Sequence, residues 1–197
     1  MFEGFAMSII DADTHVDECE STWSKLEGTD YEKYIPITVN MPSEVHQHAG
    51  YRGLDTRMWL VENHMQNRAI RDEINHPLRV YRELEDVPGR LAHMDEMGVE
   101  VQVIFPTFFI RYTTENAEAE WALTTTYNRW LAEKCANTNG RLRWAAVLPF
   151  LRPAEAAKEL RWAKENGACG FFKRGFDLER AVTDPHFFSV YEEASAL

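Results

Sequence analysis

The stretch Ser8-Ile-Ile-Asp-Ala-Asp-Thr-His-Val-Asp-Glu18 predicts a short strand that ends in titratable side chains. An apolar entry runs into Asp11, Asp13 and His15 at alternate positions. Side chains at positions i, i+2 and i+4 of a strand point to one face of a sheet. The pattern therefore predicts two carboxylates and an imidazole on the same side.

Ionised side chains on a buried strand need a compensating charge, because an unpaired charge in an apolar environment is strongly disfavoured. A divalent metal would supply it. Asp13 and His15 offer a hard oxygen and a borderline nitrogen, a pair suited to zinc, manganese or iron. The alternative is a strand end whose acidic groups are hydrated and whose histidine caps a turn.

The composition indicates a globular protein and argues against nucleic acid and membrane partners. With 45% hydrophobic residues and 24 aromatic ones (11 Phe, 7 Tyr, 6 Trp), the chain is too apolar to be disordered. A formal net charge of -11 repels phosphate backbones, so an anionic small-molecule substrate needs a local basic pocket. The longest near-apolar run, residues 101–110, is short and interrupted by polar residues and proline.

The cysteines and the N-terminus predict a cytoplasmic protein. Cys19, Cys135 and Cys169 are odd in number and far apart, which is typical of reduced thiols rather than of disulfides or a zinc knuckle. The first residues contain no basic segment of the kind that opens an export signal.

Helices and strands alternate after residue 88. Strands are predicted at 99–105, 142–148 and 169–173, and helices at 90–97, 117–137, 153–167 and 184–194. This alternation implies parallel strands with right-handed crossovers, as in an open doubly wound sheet or a closed (β/α)8 barrel of the TIM type. No glycine-rich phosphate loop follows the first strand, and polar candidates sit at the carboxyl ends of strands, which favours the barrel.

Residues 28–75 show no sustained period of 2 or 3.6, and they predict a long, irregular insertion that acts as a lid or binding loop. His46 and His48 have the spacing of a second metal pair, but their polar flanks favour a surface or lid role. Side chains of the same segment that could reach a substrate are Arg52, Arg57, His64 and Arg68.

Three residues at strand ends are candidates for substrate binding. Lys173 and Arg174 lie at the end of the fourth predicted strand and could contact an anionic substrate. The alternative is a surface ion pair at a strand exit. Thr107 follows the second predicted strand, and the phenylalanines around it, Phe105, Phe108 and Phe109, either line an apolar pocket or belong to the core.

Several segments resemble the amidohydrolase-related group typified by aminocarboxymuconate-semialdehyde decarboxylase. The resemblance covers the first strand and most of residues 88–197, and it is weak over residues 28–75. The segments that carry it are Ile10-Asp-Ala-Asp-Thr-His-Val16, Arg90-Leu-Ala-His-Met-Asp-Glu-Met-Gly-Val-Glu-Val-Gln-Val-Ile-Phe-Pro-Thr107, Tyr127-Asn-Arg-Trp-Leu131, Arg141-Leu-Arg-Trp-Ala-Ala-Val-Leu-Pro149 and Gly167-Ala-Cys-Gly-Phe-Phe-Lys-Arg174.

The resemblance implies a metal-dependent hydrolase or carboxy-lyase. Asp13 and His15 would be ligands of one divalent metal, with zinc expected and manganese or iron as alternatives, whereas Asp11 would be an ordinary strand residue. The implied reaction is hydrolysis of a C–N or C–O bond, or nonoxidative decarboxylation of a small aromatic or dienoic acid. The remaining ligands and the catalytic histidine and aspartate of that group are expected beyond Leu197.

Residues 1–197 are therefore expected to form the N-terminal part of a single barrel domain, about its first four β/α units, with the insertion at 28–75 inside it. Open sheet edges would favour a homo-oligomer or a complementing C-terminal half, since unpaired strand edges promote aggregation. The alternative function is a noncatalytic or incomplete half-barrel that requires a partner chain.

Overall fold

A computed structural model describes residues 8–40, 57–68 and 77–197. His46, His48 and Arg52 lie outside the described residues. In chain order, the described strands are β1 (Ile9–His15), β2 (Ile37–Asn40), β3 (Arg57–Val61), β4 (His64–Asn67), β5 (Val99–Phe105), β6 (Leu142–Val147), β7 (Ala168–Phe172), β8 (Phe176–Asp177) and β9 (Arg180–Ala181). The described α-helices are α1 (Arg79–Arg82), α2 (Val87–Met97), α3 (Ala117–Cys135), α4 (Pro153–Glu165) and α5 (Phe188–Ala196).

The central element is a parallel four-stranded sheet in the order β1-β5-β6-β7. Each crossover adds the next strand on the same side of the previous one, without the reversal of order that defines a doubly wound sheet. Right-handed crossovers in one direction put their helices on one face, and α2, α3 and α4 pack on β5, β6 and β7. The chain is an α/β protein whose sheet forms part of a (β/α) barrel, as the sequence predicted.

Local capping signals set the helix ends close to the predicted positions. Asp86 caps α2 by accepting a hydrogen bond from the backbone N–H of Gly89 at 2.8 Å. Gly98 ends the same helix with a φ of 69°, a conformation that costs glycine little. Asn116 caps α3 in the same way as Asp86 caps α2. The last predicted helix divides into a 3₁₀ turn, Pro185–Phe187, and α5.

Burial differs between the two faces of the sheet at β5. The side chains of Ile104, Trp144 and Ala146 are fully or almost fully buried under the helices. On the opposite face of β5, Val103 and Phe105 are only half-buried. In a closed barrel this second face lines the interior.

A three-stranded antiparallel sheet, β2-β3-β4, replaces the irregular structure that the sequence predicted in this segment. A two-residue turn joins β3 to β4, and Glu62 in this turn has a φ of 51°. Trp59 of β3 is buried against Trp23 and Phe108, with ring centroids 6.2 and 6.1 Å apart. Long-range aromatic packing therefore stabilises strands whose own sequence carries no clear alternation. The predicted polar loop after β7 contains a second small hairpin, β8-β9.

Candidate metal centre

A register shift in β1 separates the acidic residues of the opening stretch. Asp11 pairs with Gln102 and Thr14 with Ile104, so that two residues of β1, Ala12 and Asp13, together oppose a single residue of β5. Such a bulge changes the direction in which the following side chains point. The prediction that Asp11 shares a face with Asp13 and His15 is consequently wrong, because strict alternation does not survive the extra residue.

Asp11 is directed to the helix-covered side of the sheet. Its carboxylate accepts a hydrogen bond from Gln102 Nε2 at 3.2 Å, and Arg90 of α2 donates to Gln102 Oε1 at 3.0 Å. Arg90 also donates to the hydroxyl of Thr14 at 3.3 Å. His15 instead lies beside the ring of Phe105, with centroids 6.2 Å apart. Asp11 thus belongs to a structural hydrogen-bond network between β1, β5 and α2.

Asp13 and His15 are close enough to act together. Asp13 Oδ1 lies 3.6 Å from His15 Nε2, and the Asp13 side chain is 90% exposed while that of His15 is 23% exposed. His15 Nδ1 lies 2.8 Å from the carbonyl oxygen of Pro106. Because a carbonyl only accepts, Nδ1 is the protonated nitrogen, and in the neutral ring the lone pair is on Nε2, facing Asp13.

This arrangement fits a divalent metal. Ligand bonds of about 2.0–2.2 Å from a carboxylate oxygen and an imidazole nitrogen can meet at one ion when the two donors are 3.6 Å apart. A hydrogen bond from the other ring nitrogen to a backbone carbonyl is the usual support of a metal-binding histidine. In residues 8–40, 57–68 and 77–197, no third acidic, cysteine or histidine ligand completes a close group with this pair. The pair is therefore part of a site.

Three other side chains, Cys19, Glu83 and Glu85, bring potential ligand atoms within 4.8 Å of one another. The sequence did not single them out. Glu83 is buried, and its carboxylate already accepts from Arg68 at 3.3 Å and Arg79 at 3.1 Å. Two guanidinium groups already compensate the Glu83 carboxylate. The cluster of Cys19, Glu83 and Glu85 is therefore better explained by the ion pairs of Glu83 than by a metal site.

The loop that follows β5 carries the partner of His15. Both carboxylate oxygens of Glu18 accept backbone hydrogen bonds from this loop, at 3.1 Å from Thr107 N and 2.8 Å from Phe108 N. Burial raises the pKa of Glu18 to about 8, against the two backbone donors that lower it. Thr107 Oγ1 is buried and has no hydrogen-bond partner among the described residues.

A second buried glutamate holds the next loop of the same sheet edge. Glu120 of α3 accepts a hydrogen bond from Leu151 N at 2.7 Å, in the loop after β6. Burial raises the pKa of Glu120 to about 7. No sequence pattern marks Glu18 or Glu120 as functional residues.

Lys173 and Arg174 share one partner, because both form ion pairs with Asp177 of β8. All three side chains are largely buried. Lys173 Nζ also lies 4.0 Å from the ring centroid of Phe187, and Arg174 donates to the carbonyl of Phe109 at 2.8 Å. Arg174 therefore contacts the loop that contains Thr107, and both cations are compensated. Substrate binding by Lys173, Arg174 and Thr107 stays a prediction.

A cavity of about 300 Å³ adjoins the Asp13–His15 pair. Arg90, His93 and Met94 of α2 form another part of its wall. The volume is that of a site for a small molecule, and the wall combines apolar groups with the carboxylates of Asp11 and Asp13 and the guanidinium of Arg90. Within the described residues, no helix combines the length and the apolar character that crossing a membrane requires.

The fold and the position of the pair define a partial barrel with candidate metal ligands at the carboxyl end of its first strand. No protein-family model and no curated protein sequence matches the chain. Among solved structures, an amidohydrolase from Mycobacterium avium subsp. paratuberculosis K-10 is similar, with a TM-score of 0.67 and 16% identity, over 98% of this chain and 57% of that one.

Two decarboxylases are also similar in structure. A 5-carboxyvanillate decarboxylase from Novosphingobium aromaticivorans DSM 12444, with bound manganese and a nitrobenzoic acid, matches 97% of this chain and 49% of its own (TM-score 0.61, 17% identity). A dihydroxybenzoic acid decarboxylase from Polaromonas sp. JS666, with bound manganese and 2-nitroresorcinol, matches 96% and 46% (TM-score 0.54, 21% identity). The chain spans about half the length of these structures, and the likeness shows that it shares part of their barrel fold.

Proposed function

We propose that this chain supplies part of the active site of a metal-dependent enzyme with an amidohydrolase-type barrel. Asp13 and His15 are its metal ligands. The observation that carries the proposal is the 3.6 Å approach of Asp13 Oδ1 to a His15 Nε2 whose ring is fixed through Nδ1. Bound manganese in two structurally similar decarboxylases supports a divalent metal. Manganese and zinc are the first ions to test.

The substrate is a small carboxylated aromatic or dienoic acid, and the reaction is nonoxidative decarboxylation or hydrolysis of a C–N or C–O bond. A divalent ion held by the pair supplies Lewis acidity. Phe105 and Phe172, whose ring centroids are 6.4 Å apart, offer an apolar wall on the face that carries His15. This wall excludes water and packs against a planar substrate.

Three further residues are proposed to bind the acid. The unpartnered Thr107 hydroxyl offers a hydrogen bond, and Lys173 and Arg174 offer positive charge. A substrate carboxylate would compete with Asp177 for these two cations. The contribution of Lys173 and Arg174 to substrate binding therefore depends on how easily their ion pairs with Asp177 break.

The experiment that tests the metal site is a titration of the chelator-treated chain with Mn²⁺ and Zn²⁺ by calorimetry. Asp13→Asn and His15→Gln should weaken binding by more than the about 10- to 100-fold typical of changes around a ligand. Asp11→Asn and His93→Gln are matched controls, because both residues line the same cavity without being proposed ligands. The proposal is abandoned if the wild-type chain shows no saturable binding, or if D13N binds as D11N does.

A second candidate function is a noncatalytic half-barrel that requires a partner chain. The observation that favours it is that the described residues supply two grouped donors at the pair, fewer than the three protein ligands of a catalytic zinc site. Metal-loaded protein should be assayed with hydroxybenzoic acids, alone and joined to the remaining barrel units or a partner. Metal binding without turnover in either form would favour the noncatalytic alternative.

A further inference from the structure

One peptide group, between Pro106 and Thr107, lies between Glu18 and His15. Its carbonyl oxygen is 2.8 Å from His15 Nδ1, and its N–H donates to Glu18 Oε1 at 3.1 Å. The peptide unit is planar, and in the trans form its C=O and N–H point in opposite directions. Holding the N–H toward Glu18 therefore aims the carbonyl away from Glu18 and toward His15.

The second carboxyl oxygen of Glu18 fixes the orientation of the next backbone N–H group in this loop. Glu18 Oε2 accepts from the next backbone donor, Phe108 N, at 2.8 Å. Two adjacent N–H groups bound by one carboxylate cannot rotate independently. Residues preceding Glu18 follow the same path, since Val16 N donates to Phe105 O at 3.0 Å. The orientation of the Pro106 carbonyl is thus set from the Glu18 side of the loop.

Burying the carboxyl group of Glu18 costs free energy, which its hydrogen bonds must offset. Its side chain is fully removed from water, and a buried carboxyl without hydrogen-bond partners is strongly unfavourable. A glutamine or an apolar side chain would fill the same space without burying an ionisable group. What a glutamine cannot do is accept from both backbone donors, since it has one carbonyl oxygen where glutamate has two acceptors.

We propose that Glu18 is a positioning residue that holds His15 in its Nδ1–H tautomer through the Pro106–Thr107 peptide. The other ring nitrogen, Nε2, then keeps its lone pair directed at the ligand position beside Asp13. A hydrogen-bond chain of this kind is cooperative, because each bond polarises the next. The role in metal binding rests on the function proposed above, whereas the effect on the tautomer does not.

The test reads the His15 tautomer directly by two-bond ¹H–¹⁵N NMR of chelator-treated protein labelled at histidine nitrogen. The spectrum is recorded at alkaline pH, and His15 is assigned by comparison with His15→Gln. In the wild-type chain the Nδ1–H form should dominate. Glu18→Gln should raise the fraction of the Nε2–H form, and Glu18→Met should raise it further.

Glu120→Gln is the matched control, because Glu120 is also buried and also accepts from a loop backbone N–H at this sheet edge. It should leave the His15 signals unchanged. If E18M fails to fold, judged by circular dichroism, E18Q alone decides. A wild-type tautomer ratio in E18Q, or an equal change in E120Q, overturns the proposal.

Metal affinity then separates this inference from the proposed function. Mn²⁺ should bind E18Q about 10-fold more weakly than the wild-type chain, the lower end of the effect of residues that orient a ligand. If the wild-type chain binds no metal, the proposed function fails while the tautomer result stands. An altered tautomer with unchanged Mn²⁺ affinity overturns the metal-positioning role of Glu18 and leaves the metal site intact.

Discussion

Glu18 and His15 hydrogen-bond to opposite ends of the same peptide group, at Thr107 N and Pro106 O. Because of this relationship, the first strand of the barrel and the loop after the next strand of the sheet are coupled directly. The coupling joins a buried carboxyl group to the candidate metal pair of Asp13 and His15. It also places Thr107 at the junction, with a hydroxyl that no described residue satisfies.

The raised pKa of Glu18 predicts a pH-dependent contribution to stability. Its pKa is about 8 in the folded chain against an ordinary value of 4.5, so the folded state retains a proton that the unfolded state loses. This contribution is full below pH 4.5 and is lost as pH rises toward 8, at up to about 1.4 kcal/mol per pH unit. Urea unfolding of chelator-treated wild-type and E18Q protein at several pH values measures it.

The informative quantity is the difference in unfolding free energy between E18Q and the wild-type chain. It should shift in favour of E18Q as pH rises across this window and become constant above it. Any constant cost of the lost hydrogen bond cancels in the comparison. A difference that does not change with pH would contradict a raised pKa for Glu18.

We expect Glu120 to make a similar pH-dependent contribution to stability, over a narrower pH range. Burial raises its pKa from 4.5 to about 7, so its contribution is lost between these two pH values. The difference in unfolding free energy between E120Q and the wild-type chain should therefore stop changing near pH 7, below the end point for E18Q. Identical end points for the two variants would show that the two carboxyl groups do not titrate separately as described.

Local signals in the sequence were sufficient to predict the strands and helices of the parallel sheet. Gly98 ends α2, Pro106 ends β5, and Pro153 begins α4, so short-range conformational preferences set the boundaries. The order of strands followed from the regular alternation of these elements. Their spacing on a strand marked Asp13 and His15 as candidate ligands, and the family resemblance excluded Asp11.

The features that the sequence missed depend on contacts between distant residues. Glu18 meets its backbone partners 89 and 90 positions away, and backbone N–H groups leave no mark in a sequence. The shift that separates Asp11 from Asp13 depends on pairing with β5. The sheet β2-β3-β4 depends on packing of Trp59 against Trp23 and on a turn at Glu62.

We expect truncation of the Asn128 side chain to cause a large loss of stability. Its amide joins α3 to the end of β6, donating to Val147 O at 2.8 Å and accepting from Val147 N at 2.9 Å, and it also donates to Glu159. The side chain is fully buried. Asn128→Ala should lower the free energy of unfolding by about 3 kcal/mol, since it leaves several buried polar groups unsatisfied.

Asn166→Ala is the matched control for this change, because the amide of Asn166 is exposed and donates a local hydrogen bond to Trp162 O at 2.8 Å. It should cost less than about 1 kcal/mol. Urea or thermal unfolding measures both variants. Equal losses would argue against a tie between α3 and β6 through Asn128.

The ion pairs with Asp177 determine whether Lys173 and Arg174 are available to a substrate. Replacing it by Asn leaves two largely buried cations beside a neutral partner, which should cost about 3–5 kcal/mol of unfolding free energy. Glu155→Gln, which removes the partner of Lys158 in an exposed pair, should cost about 0.5 kcal/mol or less. Denaturant unfolding compares the two.

The same variant tests the substrate role of these cations. A small carboxylate such as benzoate should stabilise D177N more than the wild-type chain, because the added anion takes the place of the lost one and any ligand of the folded state raises its stability. Lys173→Met in the D177N background should reduce this stabilisation. If benzoate stabilises D177N and the wild-type chain equally, the two cations serve Asp177 and the loop after β5, and the substrate carboxylate is bound elsewhere.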